Sequence, residues 1–141
     1  MDDIEAIKQL KARYFRTMDT KRWDDMAQVF AEDCVIDTES SGGGVQEGRE
    51  QFLTMLVASI GDVTTVHHGH MPEITLTSAT TATGVWSMED MLWWPEGSPI
   101  QHLHGYGHYH ETYTKGPDDV WRIQTLKLTR LRTDFVMAEQ P

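Results

Sequence analysis

Thr65-Val66-His67-His68-Gly69-His70-Met71-Pro72-Glu73-Ile74 stands where the chain changes character. Before it, apolar residues recur at helical spacing; after it, they alternate. As an extended segment, the stretch puts His67 on one face and His68 and His70 on the other. A histidine facing a cavity can shuttle protons near neutral pH, because its ordinary pKa lies close to that value. The competing reading is a set of strand histidines that face solvent, and the stretch alone leaves both open.

Downstream the pattern is β. Val63 to His70 and Glu73 to Thr77 read as two strands, and Ser78-Ala79-Thr80 as a hairpin turn. Thr81 to Trp94 is a long strand on which Trp86, Met88, Asp90, Leu92 and Trp94 share one face. A carboxylate in that company needs an ionic or hydrogen-bonding partner, or must reach water at the strand end. Ile100 to Lys115 is the next strand, with His102, His104, His108 and His110 on one parity. After the turn at Gly116 to Asp119, Val120 to Thr133 is the last strand, and Phe135 to Pro141 reads as a tail.

Upstream, Ile4 to Met18 reads as a helix with Ile4, Ile7, Leu10, Tyr14, Phe15 and Met18 on its apolar side. Lys8, Lys11, Arg13 and Arg16 fall largely elsewhere, and Asp2 or Asp3 caps the start. Tyr14 lies on the apolar stripe, so its ring should be buried and its hydroxyl needs a partner. A second helix is expected from Trp23 to Ala31, with Asp19 or Thr20 as its N-cap. On an unbroken ideal helix Tyr14 and Asp19 would be roughly 140° apart, so a shared face requires a break between them. Cys34 to Asp37 is a short strand and Ser40 to Gly44 a surface loop. Arg49 to Ile60 is a third helix, with Phe52, Leu53, Leu56, Val57 and Ile60 inward and Gly61 at its C′ position.

Helices gathered ahead of a run of strands predict an α+β fold in a single domain over residues 1–141. A curved antiparallel sheet covered by three helices would enclose an apolar pocket for a small molecule. The chain has 12 basic and 22 acidic residues, a net charge of −10, and no basic patch to suit a nucleic acid. No apolar run is long enough to cross a membrane, and the acidic start Met1-Asp2-Asp3 does not look like a secretory signal. Cys34 is the only cysteine, which fits a reducing cytoplasm.

Three chemistries compete for these residues. The seven histidines suggest a metal site, but their spacing matches neither a zinc finger nor H-E-x-x-H, so no metal is expected. Nucleophilic catalysis has little support, because Cys34 sits in an apolar strand and no G-x-S-x-G elbow is present. Acid–base chemistry remains. His67 would be a base, a carboxylate such as Asp19 would orient it, and Tyr14 would donate to an oxygen gaining negative charge.

Two segments also resemble a known family. Asp3 to Lys11 with Tyr14-Phe15-Arg16 and Asp19 is similar to the opening helix of bacterial bile acid 7α-dehydratases. His67 to Thr75 resembles their central segment, and Thr81-Ala82-Thr83-Gly84 with Trp86, Glu89 and Asp90 follows it. A looser likeness runs through Tyr113, Trp121 and Arg130. The wider SnoaL-like group shares a cone-shaped α+β barrel with scytalone dehydratase, ketosteroid isomerase and the lindane dehydrochlorinase. The resemblance implies a cofactor-independent dehydratase acting on a small hydrophobic cyclic substrate, steroid-like and either free or as a CoA ester. A steroid-type isomerase, a polyketide cyclase and a non-catalytic ligand-binding protein are the alternatives on the same fold. It further implies catalytic roles for Tyr14, Asp19, His67 and Asp90, substrate contacts from Thr38, Trp86, His110 and Arg130, and a homo-oligomer, by analogy a trimer. Thr38 stands where the bile acid enzymes carry a pocket tyrosine, and Gly105 to His110 is richer in histidine than theirs.

Overall fold

The computed structural model describes residues 1–139. Among them, three α-helices lie against one curved, open sheet of six strands, in the order β2-β1-β6-β5-β4-β3. Helix α1 (Asp3–Asp19) starts where the Asp2 carboxylate accepts the Glu5 amide at 2.8 Å, satisfying an amide that has no helical partner. It buries Ile7, Leu10, Tyr14 and Met18 as expected but leaves Ile4, at its first turn, 38% exposed; it buries Lys11 as well, whose charge suggested the polar side. Lys21, at φ 59°, turns the chain into α2 (Trp23–Ala27).

Helix α2 is shorter than expected and has no side-chain cap; Asp19 belongs to α1 and Arg22 precedes α2. The residues expected in its last turn enter β1 (Phe30–Asp37), because the Val29 carbonyl accepts the Ile123 amide and Phe30 pairs with Ile123. Sheet pairing therefore wins over a helical spacing that was only local. The loop after β1 holds a 3-10 turn (Glu39–Ser41) and a short strand, β2 (Val45–Glu47), that the sequence did not signal. Helix α3 (Arg49–Ile60) packs Phe52 and Leu56 inward, but Val57 is 46% exposed. Gly61 is right-handed, at φ −54°, so room beside the Val57 carbonyl explains the glycine better than a left-handed cap does.

The two strands expected around His67 are one, β3 (Thr64–Leu76), with an irregular register between Gly69 and Pro72. Pro72 fits because β3 is a sheet edge, where a missing N–H leaves no neighbour unpaired. Strands β4 (Thr81–Trp93) and β5 (Ile100–Lys115) match their expected limits closely. The last strand, β6 (Trp121–Met137), runs on through the expected tail, because Leu103 pairs with Phe135 and Ile100 with Met137. The last two residues of that tail, 140 and 141, lie outside the described residues. The sheet is mixed rather than wholly antiparallel, since β1 and β6 run parallel. Among the described residues no helix is long and apolar enough to cross a membrane.

The core holds three phenols and one thiol that resist ionisation. Burial pushes Cys34 up to about 11, consistent with an inert core thiol. Burial, reinforced by the Glu111 carboxylate, raises Tyr14 and Tyr113, and burial likewise raises Tyr109. A group raised in the folded state holds its proton when the unfolded chain has released it. Stability should therefore fall once the pH exceeds the ordinary tyrosine value of 10.0, by roughly 1.4 kcal/mol per pH unit for each of these phenols. Lys11 works the other way. Burial pushes its ammonium down to about 8 from 10.5, so that group adds stability as the pH rises between those values. Denaturant midpoints should rise gently from about pH 8 and drop steeply beyond 10. A flat profile through 10 would mean that the phenols reach water.

Candidate active site

The sheet register assembles the site. His67 on β3 lies opposite Asp90 on β4, so both side chains project from the same face. Asp90 in turn lies opposite Gly105 on β5. A Cβ at Gly105 would overlap both the Asp90 carboxylate and the Arg130 guanidinium, so the missing side chain leaves the space those groups fill. Arg130 of β6 reaches across and donates to Asp90 through Nη1 at 2.6 Å and Nη2 at 2.9 Å. This bidentate pair is the ionic partner that a carboxylate only 4% exposed requires.

On the other side of His67, Asp19 closes the end of α1. Its Oδ1 lies 2.7 Å from His67 Nδ1 and accepts the Thr65 hydroxyl at 3.0 Å, while Oδ2 accepts the His67 backbone amide at 2.9 Å. Lys21 Nζ donates to the same Thr65 hydroxyl at 2.7 Å. Asp19 is thus held by three donors, and the network assigns the His67 proton to Nδ1. That leaves Nε2 with its lone pair toward the cavity, 3.9 Å from Asp90 Oδ2, too long for a direct hydrogen bond.

The cavity has a volume of about 260 Å³ and is lined by Tyr14, Thr38, His67, Asp90, Tyr109 and Arg130 among apolar side chains such as Met18, Phe52, Leu56, Leu92 and Leu128. Asp19 does not line it; it stands behind His67. The unbroken helix between Tyr14 and Asp19 is therefore no obstacle, because the two residues serve different sides of the imidazole. The Tyr14 and Tyr109 rings meet edge to face with centroids 5.8 Å apart.

Two expected contact residues lie elsewhere. Trp86 is buried outside the cavity lining, and its indole N–H donates to the Tyr113 hydroxyl at 2.9 Å. His110 is exposed on the opposite face of the sheet, 3.1 Å from the Thr129 hydroxyl. Apart from His67, the other strand histidines share that outer face. His70 and His104 both reach Glu89, whose carboxyl they hold below its usual value, His104 more than His70. His102 bonds the Leu92 carbonyl and stacks on Trp93. Among the described residues no three of His, Cys, Asp and Glu converge as a metal-binding group. Tyr109, Thr65 and Lys21 escaped the sequence reading. Only Tyr109 carried a signal, its parity opposite to the histidines of β5.

Residues 1–127 match the family model described as a SnoaL-like domain. The chain belongs to the SnoaL-like family. Solved structures share this SnoaL-like fold. A candidate scytalone dehydratase from Novosphingobium aromaticivorans DSM 12444 is 22% identical over 97% of this chain and 89% of its own, with a TM-score of 0.84. The Kfla4162 protein of Kribbella flavida is 24% identical over 94% and 93%, also at 0.84. A type 2 hexachlorocyclohexane dehydrochlorinase, LinA, is 20% identical over 94% and 87%, at 0.82. Likeness at this level of identity carries the SnoaL-like fold and leaves the chemistry to the site.

Proposed function

We propose that this SnoaL-like protein is a hydro-lyase that removes water from a hydroxylated cyclic ketone or enone without a cofactor. The observation that carries the proposal is the His67 imidazole, bonded through Nδ1 to Asp19 and turned through Nε2 toward the cavity beside the Asp90–Arg130 pair. His67 Nε2 takes a proton from a carbon made acidic by the substrate carbonyl. Tyr14 donates to the carbonyl oxygen as that oxygen gains charge. The C–O bond to the hydroxyl then breaks, and the imidazolium returns its proton to the departing oxygen, so that water leaves. Both Asp90 oxygens are occupied by Arg130, which favours His67 over Asp90 as the acid.

The cavity volume bears on the substrate. At about 260 Å³ it lies just under the range common for drug-sized ligands, so it suits the reacting ring of a polycycle or a compound of one or two rings. The likeness to bile acid 7α-dehydratases keeps a steroid, free or as a CoA ester, within the class. Exposed apolar side chains at the end of β6, Leu131, Phe135, Val136 and Met137, support a homo-oligomer.

The test is appearance of a conjugated chromophore from hydroxylated cyclic enones, running from bicyclic ketones to four-ring steroids as free acids and CoA esters. Tyr14→Phe deletes only the hydroxyl, and should lower turnover by a factor on the order of 10²–10³ while binding persists. If the wild type shifts a double bond without losing water, the protein is an isomerase using the same base. If it binds these compounds and converts none, and Tyr14→Phe binds equally well, the hydro-lyase proposal is lost.

A further inference from the structure

Lys11 is buried where packing alone would favour an apolar side chain. Its side chain and that of Glu111 have 0% exposure, and Nζ donates to Glu111 Oε2 at 2.7 Å. An ammonium has three N–H donors. With one on the carboxylate, the tip lies 3.5 Å from the centroid of the Tyr14 ring and 3.7 Å from that of Tyr109, with Phe15 farther off at 5.0 Å. The second Glu111 oxygen accepts the Tyr113 hydroxyl at 2.7 Å, and that hydroxyl accepts the Trp86 indole N–H. Neither Lys11 nor Glu111 lines the cavity, whereas both phenols under the ammonium do. Apolar side chains of similar size would fill this space without desolvating two charges.

We propose that Lys11 and Glu111 are positioning residues: the carboxylate holds the ammonium against the Tyr14 and Tyr109 rings, which strengthens both phenols as donors to an oxygen gaining charge in the cavity. A cation is drawn more strongly to a ring as that ring becomes richer in electrons. A phenol that shares its proton with a developing oxyanion becomes richer in electrons, so the attraction grows toward the transition state. Burial meanwhile keeps both phenols protonated, and the carboxylates of Glu111, Asp90 and Asp19 near Tyr14 act in the same direction. The ammonium in contact with the rings supplies the opposite sign. The catalytic half of this inference rests on the oxyanion role proposed for Tyr14; the polarisation itself does not.

The polarisation is tested in the unaltered chain by NMR, with isotope labels on lysine Nζ and on the tyrosine carbon that bears the hydroxyl. The Tyr14 and Tyr109 resonances should shift in step with the loss of the Lys11 proton, at about pH 8. Tyrosine resonances that stay fixed while Lys11 titrates would overturn the proposal. The catalytic half is tested by Lys11→Met/Glu111→Leu, which removes both charges and keeps the space filled. Turnover should fall by about tenfold or more with little change in KM, and the loss should vanish when Tyr14→Phe and Tyr109→Phe are present. An equal loss in that background would mark a packing effect and defeat the assignment. If the resonances move together but no enone is converted, the polarisation stands and the hydro-lyase reading falls.

Discussion

His67→Ala should lower turnover by roughly 10²–10⁴-fold, toward the upper end, because one imidazole both takes the proton and returns it. Asp19→Asn should come close to that loss while the fold persists. The reason is in the hydrogen bonds. Asp19 Oδ1 serves His67 Nδ1 and Thr65, and Oδ2 serves the His67 amide. An asparagine must turn its NH₂ toward one of those sets. If it faces the backbone amide, two donors collide. If it faces Nδ1, the ring must move its proton to Nε2, and the base then points a proton at the substrate. The charge that would steady the imidazolium is lost either way. Because the two residues act as one unit, the double variant should be little worse than His67→Ala alone. Losses that simply multiply in the double variant would mean that Asp19 only holds the end of α1.

Glu111→Leu should destabilise the fold by roughly 3–5 kcal/mol, since it leaves the Lys11 ammonium buried without a counter-ion. That is a large part of the stability of a typical domain, about 5–15 kcal/mol. The sign of its pH dependence follows from Lys11. Burial already lowers that group, and Glu111 is what opposes the shift, so removing Glu111 lowers it further. Below the unfolded value of 10.5, the unfolded variant then binds a proton that the folded one sheds, and stability rises with pH. Denaturant midpoints of the variant should recover as the pH rises toward 10.5, over a wider range than in the wild type. Lys11→Met/Glu111→Leu should regain much of the loss, because neither charge then stays buried. A single variant as stable as the wild type at neutral pH would show that the lysine has found water.

The same pair shows where reading the sequence stops. Lys11 lies four residues after Ile7 and three before Tyr14, so its spacing fits the buried stripe as well as the polar side. Its charge suggested the surface; its partner, 100 residues away, overrode that. Asp90 is the opposite case. Its parity with Trp86, Met88 and Leu92 marked it from the sequence as a carboxylate on an apolar face, in need of either a partner or water. That this partner is Arg130, through the gap left by Gly105, depends on three strands being side by side.

The sequence by itself determined the α+β order, the limits of β4 and β5, the burial of the Tyr14 stripe and the separation of His67 from His68 and His70. These follow from periodicity and side-chain alternation, which act over a few residues. The tertiary structure alone decided that Phe30 leaves its helix for β1, that β1 runs parallel to β6, and that Pro72 interrupts the register of β3 without ending the strand. It also decided that Trp86 and His110 miss the cavity while Tyr109 enters it, and that Asp19 stands behind His67 instead of capping α2. Each of these turns on a hydrogen bond, an ion pair or a packed ring between segments far apart in the chain, whose energy exists only once the sheet has brought them together.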